Sequence, residues 1–112
     1  MGRHSDIAAA ARGIILANLS RRVTIPELAR ACGTSPTVLK DAFRAEFGTS
    51  VYAWARRRRM IAAAKLLVRT SASVAEVARA VGYANPSKFA RAFEACLRMS
   101  PSAFRARYGR RL

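Results

Sequence analysis

Thr24-Ile25-Pro26-Glu27-Leu28-Ala29-Arg30-Ala31-Cys32-Gly33-Thr34-Ser35-Pro36 is the stretch on which the fold turns. Its first four residues form a capping box. The Thr24 oxygen can accept the Glu27 amide while the Glu27 carboxylate reaches back, and Pro26 sits in the first turn, where its missing N–H costs nothing. A helix therefore starts at Ile25. Gly33 suits the end of that helix because glycine adopts positive φ freely, and Ser35-Pro36 then supplies an N-cap and a first-position proline for the next one. The result is a short helix, a tight turn and a second helix. The second runs to Phe47 and stops at Gly48, with Leu39, Phe43 and Phe47 as its inward stripe.

The plan recurs farther along the chain. Ser73-Val74-Ala75-Glu76 is a second capping box, and Ala78, Arg79, Ala80 and Gly82 match Ala29, Arg30, Ala31 and Gly33 at an offset of 49. One extra residue enters the turn before Asn85-Pro86 restarts the helix. Phe89, Phe93 and Leu97 then match Leu39, Phe43 and Phe47 at an offset of 50, and Ser100 matches Ser50. Two copies of one helix-turn-helix unit are present. Between them Val51–Arg69 reads as one uninterrupted helix of 19 residues, with Trp54, Ile61, Leu66 and Leu67 as packing residues. Such a helix spans roughly 28 Å, a sensible stiff spacer for recognition helices that must sit about 34 Å apart to meet successive major grooves.

A leading helix over residues 6–19 carries Ile7, Ala11, Ile14, Ile15 and Leu19 on one stripe and should lie against the next two helices. A last helix begins at Ser100-Pro101 and brings Phe104 and Tyr108 toward the second unit. Alternating strand patterns and Asn-Gly or Asp-Gly hairpin turns are absent. The expected fold is all-α and homeodomain-like, with seven helices. The first helix-turn-helix occupies residues 1–49, the linker helix 50–69 and the second helix-turn-helix 70–112.

Composition points to the partner. Of 112 residues, 21 are Lys or Arg against 6 Asp or Glu, a formal charge of +15 spread from Arg3 to Arg111 rather than held in a tail. A folded surface of that sign condenses onto phosphate, which favours double-stranded DNA over an anionic membrane. Lysine occurs only at Lys40, Lys65 and Lys88, and this arginine bias, with abundant alanine, hints at a GC-rich coding genome. Cys32, Cys96 and the lone His4 form neither a zinc set nor a disulfide framework, so no metal or cofactor is expected and both thiols read as small buried groups in a reducing cytosol. No apolar run approaches the roughly 20 residues of a membrane span, and no signal-peptide pattern opens the chain, so a cytoplasmic protein is expected. No nucleophile with a base, metal cluster or phosphate-cradling glycine loop supports an enzyme, and capping accounts for Glu27 and Glu76 better than acid–base chemistry does.

Helical geometry separates the groove face from the core face. In the first recognition helix Pro36, Thr37, Lys40, Asp41 and Arg44 lie opposite the apolar stripe; in the second, Pro86, Ser87, Ala90, Arg91 and Glu94 do. The N-terminal half of each should read bases. Arg91 is suited to guanine O6 and N7, worth about 1–3 kcal/mol of discrimination, with a phosphate contact as the alternative. Lys40 is open between guanine and phosphate, and Thr37 and Ser87 between a base and a backbone oxygen. Asp41 can accept from cytosine N4 or pair with Arg44 three residues on. Lys88 lies at the flank, toward phosphate, and the N-cap residues Ser35 and Asn85 complete the DNA-facing set. The arginines at 56–59 cover a full turn and cannot all face a duplex, while Trp54 belongs to the core.

Together these residues resemble the DNA-binding region of the arabinose-operon regulator (AraC/XylS) family over nearly the whole chain. The pattern Gly82-Tyr83, Phe89, Arg91, Phe93, Ser100-Pro101 and Phe104-Arg105 is similar to the family signature in the second half. In the first half Gly33, Ser35, Leu39, Phe43, Gly48 and Ser50 take the corresponding places, with Trp54, Arg59, Ala63, Leu66 and Leu67 on the linker helix. Gly48-Thr49-Ser50-Val51 also resembles the siderophore-regulator subgroup. Two residues depart from the pattern. Arg98 stands where the family has glycine, so that either the recognition helix ends differently or the side chain is placed for phosphate, and Asp41 stands where relatives often have a basic residue. The resemblance implies a sequence-specific transcription regulator, activator or repressor, with RNA polymerase as a further partner. It implies an effector ligand only if an N-terminal sensing domain is missing from the chain, and it assigns Arg59 to internal packing. The rival readings are a nonspecific architectural or nucleoid protein and a basic helix protein of membrane surfaces.

Overall fold

The computed structural model describes residues 3–109. Among these residues all regular structure is α-helical, in the order α1 (Arg3–Ala17), α2 (Ile25–Ala31), α3 (Pro36–Phe47), α4 (Val51–Arg69), α5 (Val74–Ala80), α6 (Pro86–Leu97) and α7 (Pro101–Tyr108). Both capping boxes form. The Glu27 amide donates to Thr24 Oγ1 at 3.2 Å and the Thr24 amide to Glu27 Oε1 at 2.9 Å; the Ser73 and Glu76 equivalents are 3.1 and 2.7 Å. The two turns share their backbone bonds as well. The Thr34 and Tyr83 amides donate to the Ala29 and Ala78 carbonyls at 3.0 and 2.9 Å, around Gly33 and Gly82 at φ +67° and +89°. Ala84, the extra residue of the second turn, falls after this shared set and before the Asn85 cap.

The chain divides into two compact units, one holding residues 3–18 and 22–55 of the described chain, the other 19–21 and 56–109. In the first unit Ile7, Ala8, Ala11 and Ile15 of α1 are buried with Leu28, Ala29, Leu39, Ala42, Phe43, Val51 and Ala55. Ala8, Ala11 and Ala42 are completely enclosed, their small side chains letting helix backbones approach closely. Phe43, Phe47 and Trp54 pack as a trio with ring centroids 4.7–5.9 Å apart, and the Arg12 guanidinium covers the Phe47 ring at 5.6 Å. Trp54 is therefore a packing residue, half-buried in that trio.

In the second unit Met60, Ala63 and Leu67 of α4 pack with Val77, Ala78, Val81, Tyr83, Phe89 and Phe93. A run of rings from Tyr83 through Phe89, Phe93 and Phe104 to Tyr108 continues this core toward the end of α7, with centroid separations of 4.8–5.8 Å. Two arginines close it with hydrogen bonds to backbone carbonyls. Arg59, only 8% exposed, donates to Leu19 O at 3.3 Å and Arg21 O at 3.2 Å. Arg105 donates to Leu67 O at 3.0 Å and Thr70 O at 3.2 Å. Gly82 lies against the same segment, where a Cβ would stand 3.1 Å from the Leu19 carbonyl oxygen.

The first helix departs from the expected range of 6–19. It begins at Arg3, which leaves Asp6 in its first turn, where a carboxylate suits the positive end of the helix dipole. It ends at Ala17 because Asn18 closes it: the side chain donates to Ile14 O at 2.7 Å and the amide to Ile15 O at 3.1 Å. Leu19 then leaves the helical path, and its carbonyl becomes the acceptor for Arg59.

Candidate nucleic-acid interface

Helices α3 and α6 are built alike from the N-terminus. Ser35 Oγ accepts from the Val38 amide at 3.2 Å; Asn85 Oδ1 accepts from the Ser87 and Lys88 amides at 2.8 and 3.2 Å. A proline follows each cap, as the fixed φ of that residue favours. The oxygens of Ser35 and Asn85 are thus engaged in starting the helices, and these two residues position the faces behind them. Leu39 and Phe43 in α3, and Phe89 and Phe93 in α6, are completely buried and set the rotation of each helix on its unit. Phe47 and Leu97, the last members of the inward stripes, are only half-buried, since each sits in the final turn at the margin of its core.

The opposite faces are open. Pro36, Thr37, Lys40, Asp41 and Arg44 are exposed on α3, and Pro86, Ser87, Lys88, Arg91 and Glu94 on α6. Ala90 differs from expectation: it is half-buried, whereas its counterpart Lys40 in α3 is exposed. Within the described chain no hydrogen bond or ion pair engages the side chains of Lys40, Asp41, Arg44, Lys88, Arg91 or Glu94. The Asp41–Arg44 pair considered from sequence is not formed. Each open face is a row of polar and charged ends with no internal partner.

Other basic residues separate by burial. Among the four consecutive arginines at 56–59 of α4, Arg57 and Arg58 are exposed, Arg56 is half-buried and Arg59 is the internal anchor already described. Arg98 was outside the DNA-facing set drawn from sequence. It ends α6 in the same left-handed conformation with which Gly48 ends α3, at φ 66°, ψ 16° against φ 71°, ψ 11°. The cap amides donate to Arg44 O and Glu94 O, both at 2.8 Å. The helix does not end differently at Arg98. An exposed arginine has simply taken the glycine conformation, and among the described residues it is the sole non-glycine at positive φ.

The Ser73 amide and hydroxyl, with Arg79 nearby, hold the Glu76 carboxyl below its ordinary value, and burial pushes the Cys32 thiol up. Neither lies on the open faces. Among the described residues no group of His, Cys, Asp and Glu is placed to hold a metal, and no helix is long and apolar enough to cross a membrane.

A family model described as a helix-turn-helix domain matches residues 28–107. The arabinose operon regulatory protein of Escherichia coli K12 is 38% identical over 82 residues, covering 73% of this chain and 28% of its own length. The chain thus spans less than a third of that relative. Among solved structures, the C-terminal domain of AraT, a response regulator from Geobacillus stearothermophilus, is 30% identical with a TM-score of 0.92, covering 98% of this chain and 92% of its own. The DNA-binding domain of AdpA, described as a global transcriptional factor and solved in complex with a target DNA, is 30% identical with a TM-score of 0.87, covering 93% and 94%. The capping boxes, duplicated turns and paired open helices therefore belong to a helix-turn-helix domain of the arabinose-operon regulator (AraC) family.

Proposed function

We propose that this domain binds double-stranded DNA sequence-specifically as the DNA-reading part of a transcription regulator, with α3 and α6 each entering a major groove of one target site. One observation carries the reading. The two helices share caps and core-facing residues, yet present different unpartnered faces: Thr37, Lys40, Asp41 and Arg44 on one, Ser87, Arg91 and Glu94 on the other. A protein that only coats DNA needs charge; it has no need of two distinct sets of groups on duplicated scaffolds. The charge of +15 supports the electrostatic part of binding.

Within each face the N-terminal half supplies base contacts. Arg91 reads guanine through its two-pronged donor set, Lys40, Thr37 and Ser87 reach base edges or phosphates, and Lys88 meets phosphate. Pro36, Pro86 and Ala90 shape the approach, and Ser35 and Asn85 hold the helix starts. Transcription activation, contact with RNA polymerase and a cytoplasmic setting are part of the same proposal, and an effector ligand enters it only through sequence outside these 112 residues.

Selection of sites from random duplex DNA tests the reading. Two unequal half-sites about one helical turn apart are expected. Arg91→Ala should relax base preference in one half-site alone. A uniform loss across all sequences would assign Arg91 to phosphate, and the absence of any enriched sequence would leave the nonspecific architectural role.

A further inference from the structure

The chain holds six carboxylates, and the structure accounts for four of them. Glu27 and Glu76 complete capping boxes, Glu46 accepts from the Ser5 hydroxyl at 2.6 Å, and Asp6 stands in the first turn of α1. The remaining two, Asp41 and Glu94, are exposed on the open faces of α3 and α6. Neither has an internal partner, and neither lies in a first helical turn, where the dipole would favour it. Facing a polyanion, an idle carboxylate only weakens binding.

The duplication shows a pattern in their placement. At the offset of 50 that aligns the two recognition helices, Asp41 corresponds to Arg91 and Arg44 to Glu94, so the order of charge along the face is inverted between the copies. A carboxylate accepts hydrogen bonds and cannot donate them. In the major groove cytosine N4 is a donor without a neighbouring acceptor on its own base, whereas guanine O6 and N7 and thymine O4 present acceptors that repel a carboxylate. Arginine has the opposite preference. Its fork donates to guanine O6 and N7.

We propose that Asp41 reads cytosine in the first half-site at the position where Arg91 reads guanine in the second, so that the two half-sites carry one base pair in opposite orientations. The inference rests on the DNA-reading assignment of α3 and α6. Asp41 works largely by exclusion: its bond to cytosine N4 offsets the repulsion from nearby phosphate, and a guanine or thymine in its place leaves that repulsion uncompensated.

The test uses the 112-residue chain and duplexes selected by it from a random library. With both half-sites aligned in the same sense, cytosine is expected in the first at the step that holds guanine in the second. Swapping that first C·G pair to G·C should weaken wild-type binding about tenfold, the scale of one good base contact. Asp41→Ala should bind both duplexes equally, and Asp41→Arg should prefer the swapped one, each with the second half-site preference intact. Asp41 is exposed and has no hydrogen-bond or ion-pair partner in the fold, so both variants should melt no lower than wild type while showing these shifts. If Asp41→Ala instead tightens binding to every duplex by one factor and selects the same sequence as wild type, the carboxylate reads no base and the inference is overturned. Enriched half-sites that carry the same base pair at that step overturn it as well. A wild-type selection that enriches no sequence refutes the broader DNA-reading assignment, and is thereby distinguishable from either result.

Discussion

At Arg98 the chain places an ordinary L residue in a conformation that its own duplicate assigns to glycine. The left-handed region brings Cβ against the backbone, a strain of about 1–2 kcal/mol that glycine does not feel. Gly48 avoids it at the end of α3; Arg98 does not at the end of α6. Nothing inside the described chain compensates, since the Arg98 side chain is exposed and engages no partner. Arg98→Gly should therefore stabilise the fold. Glycine's greater freedom in the unfolded chain offsets part of the gain, leaving about 0.5–1 kcal/mol, readable as a higher urea midpoint with an unchanged m-value. A lower midpoint would show that the arginine supports the fold through contacts the structure does not contain. The position was legible in the sequence as a missing glycine, but its conformation was not, because only the surrounding helix end decides whether the backbone yields or the residue does. Arg59 teaches the same point from the other direction. The resemblance marked it as internal, yet its acceptors at Leu19 and Arg21 lie some 40 residues away, and no local pattern announces them.

Among the elements, those with local start signals were readable and those with distant ones were not. The starts of α2, α3, α5, α6 and α7 follow from Thr24, Ser35, Ser73, Asn85 and Ser100, because a cap and the amides it satisfies lie within three residues of each other. Helix α4 was bounded by Gly48 before it and the Ser73 box after it. Helix α1 was misplaced at both ends because it begins without a comparable cap signal, and its end is decided by Asn18 and by the distant Arg59. Capping also gives α5 a proton dependence. Hydrogen bonds to the charged Glu76 carboxylate hold its proton affinity below that of an unfolded glutamate. A group depressed in this way contributes stability that is fully present above its unfolded value and is lost as pH falls through its folded value. The melting temperature of wild type and of Glu76→Gln should thus converge as pH is lowered through the glutamate range. A gap that stays constant with pH would mean the bond is equally good to the neutral carboxyl.

For the molecule as a whole, duplication explains why the buried and exposed faces of α3 and α6 could be read in advance. A helix-turn-helix copied at an offset of 49 to 50 repeats its buried positions, so the core stripe of α3 predicts that of α6, and the open faces follow by subtraction. What subtraction could not show was which open side chains had internal partners. Asp41 with Arg44 was an equal candidate for an ion pair until the geometry showed both ends unengaged. The charge of +15 ensures attraction to any duplex, and that term weakens steeply with salt. Sequence preference must come from the differing faces, so the two contributions part at physiological ionic strength. The most direct measurement is competition there between a duplex selected by this chain and random duplex of equal length. Random duplex should displace the protein only at about a thousandfold excess or more, whereas displacement by an equal amount would mean that the two faces read nothing.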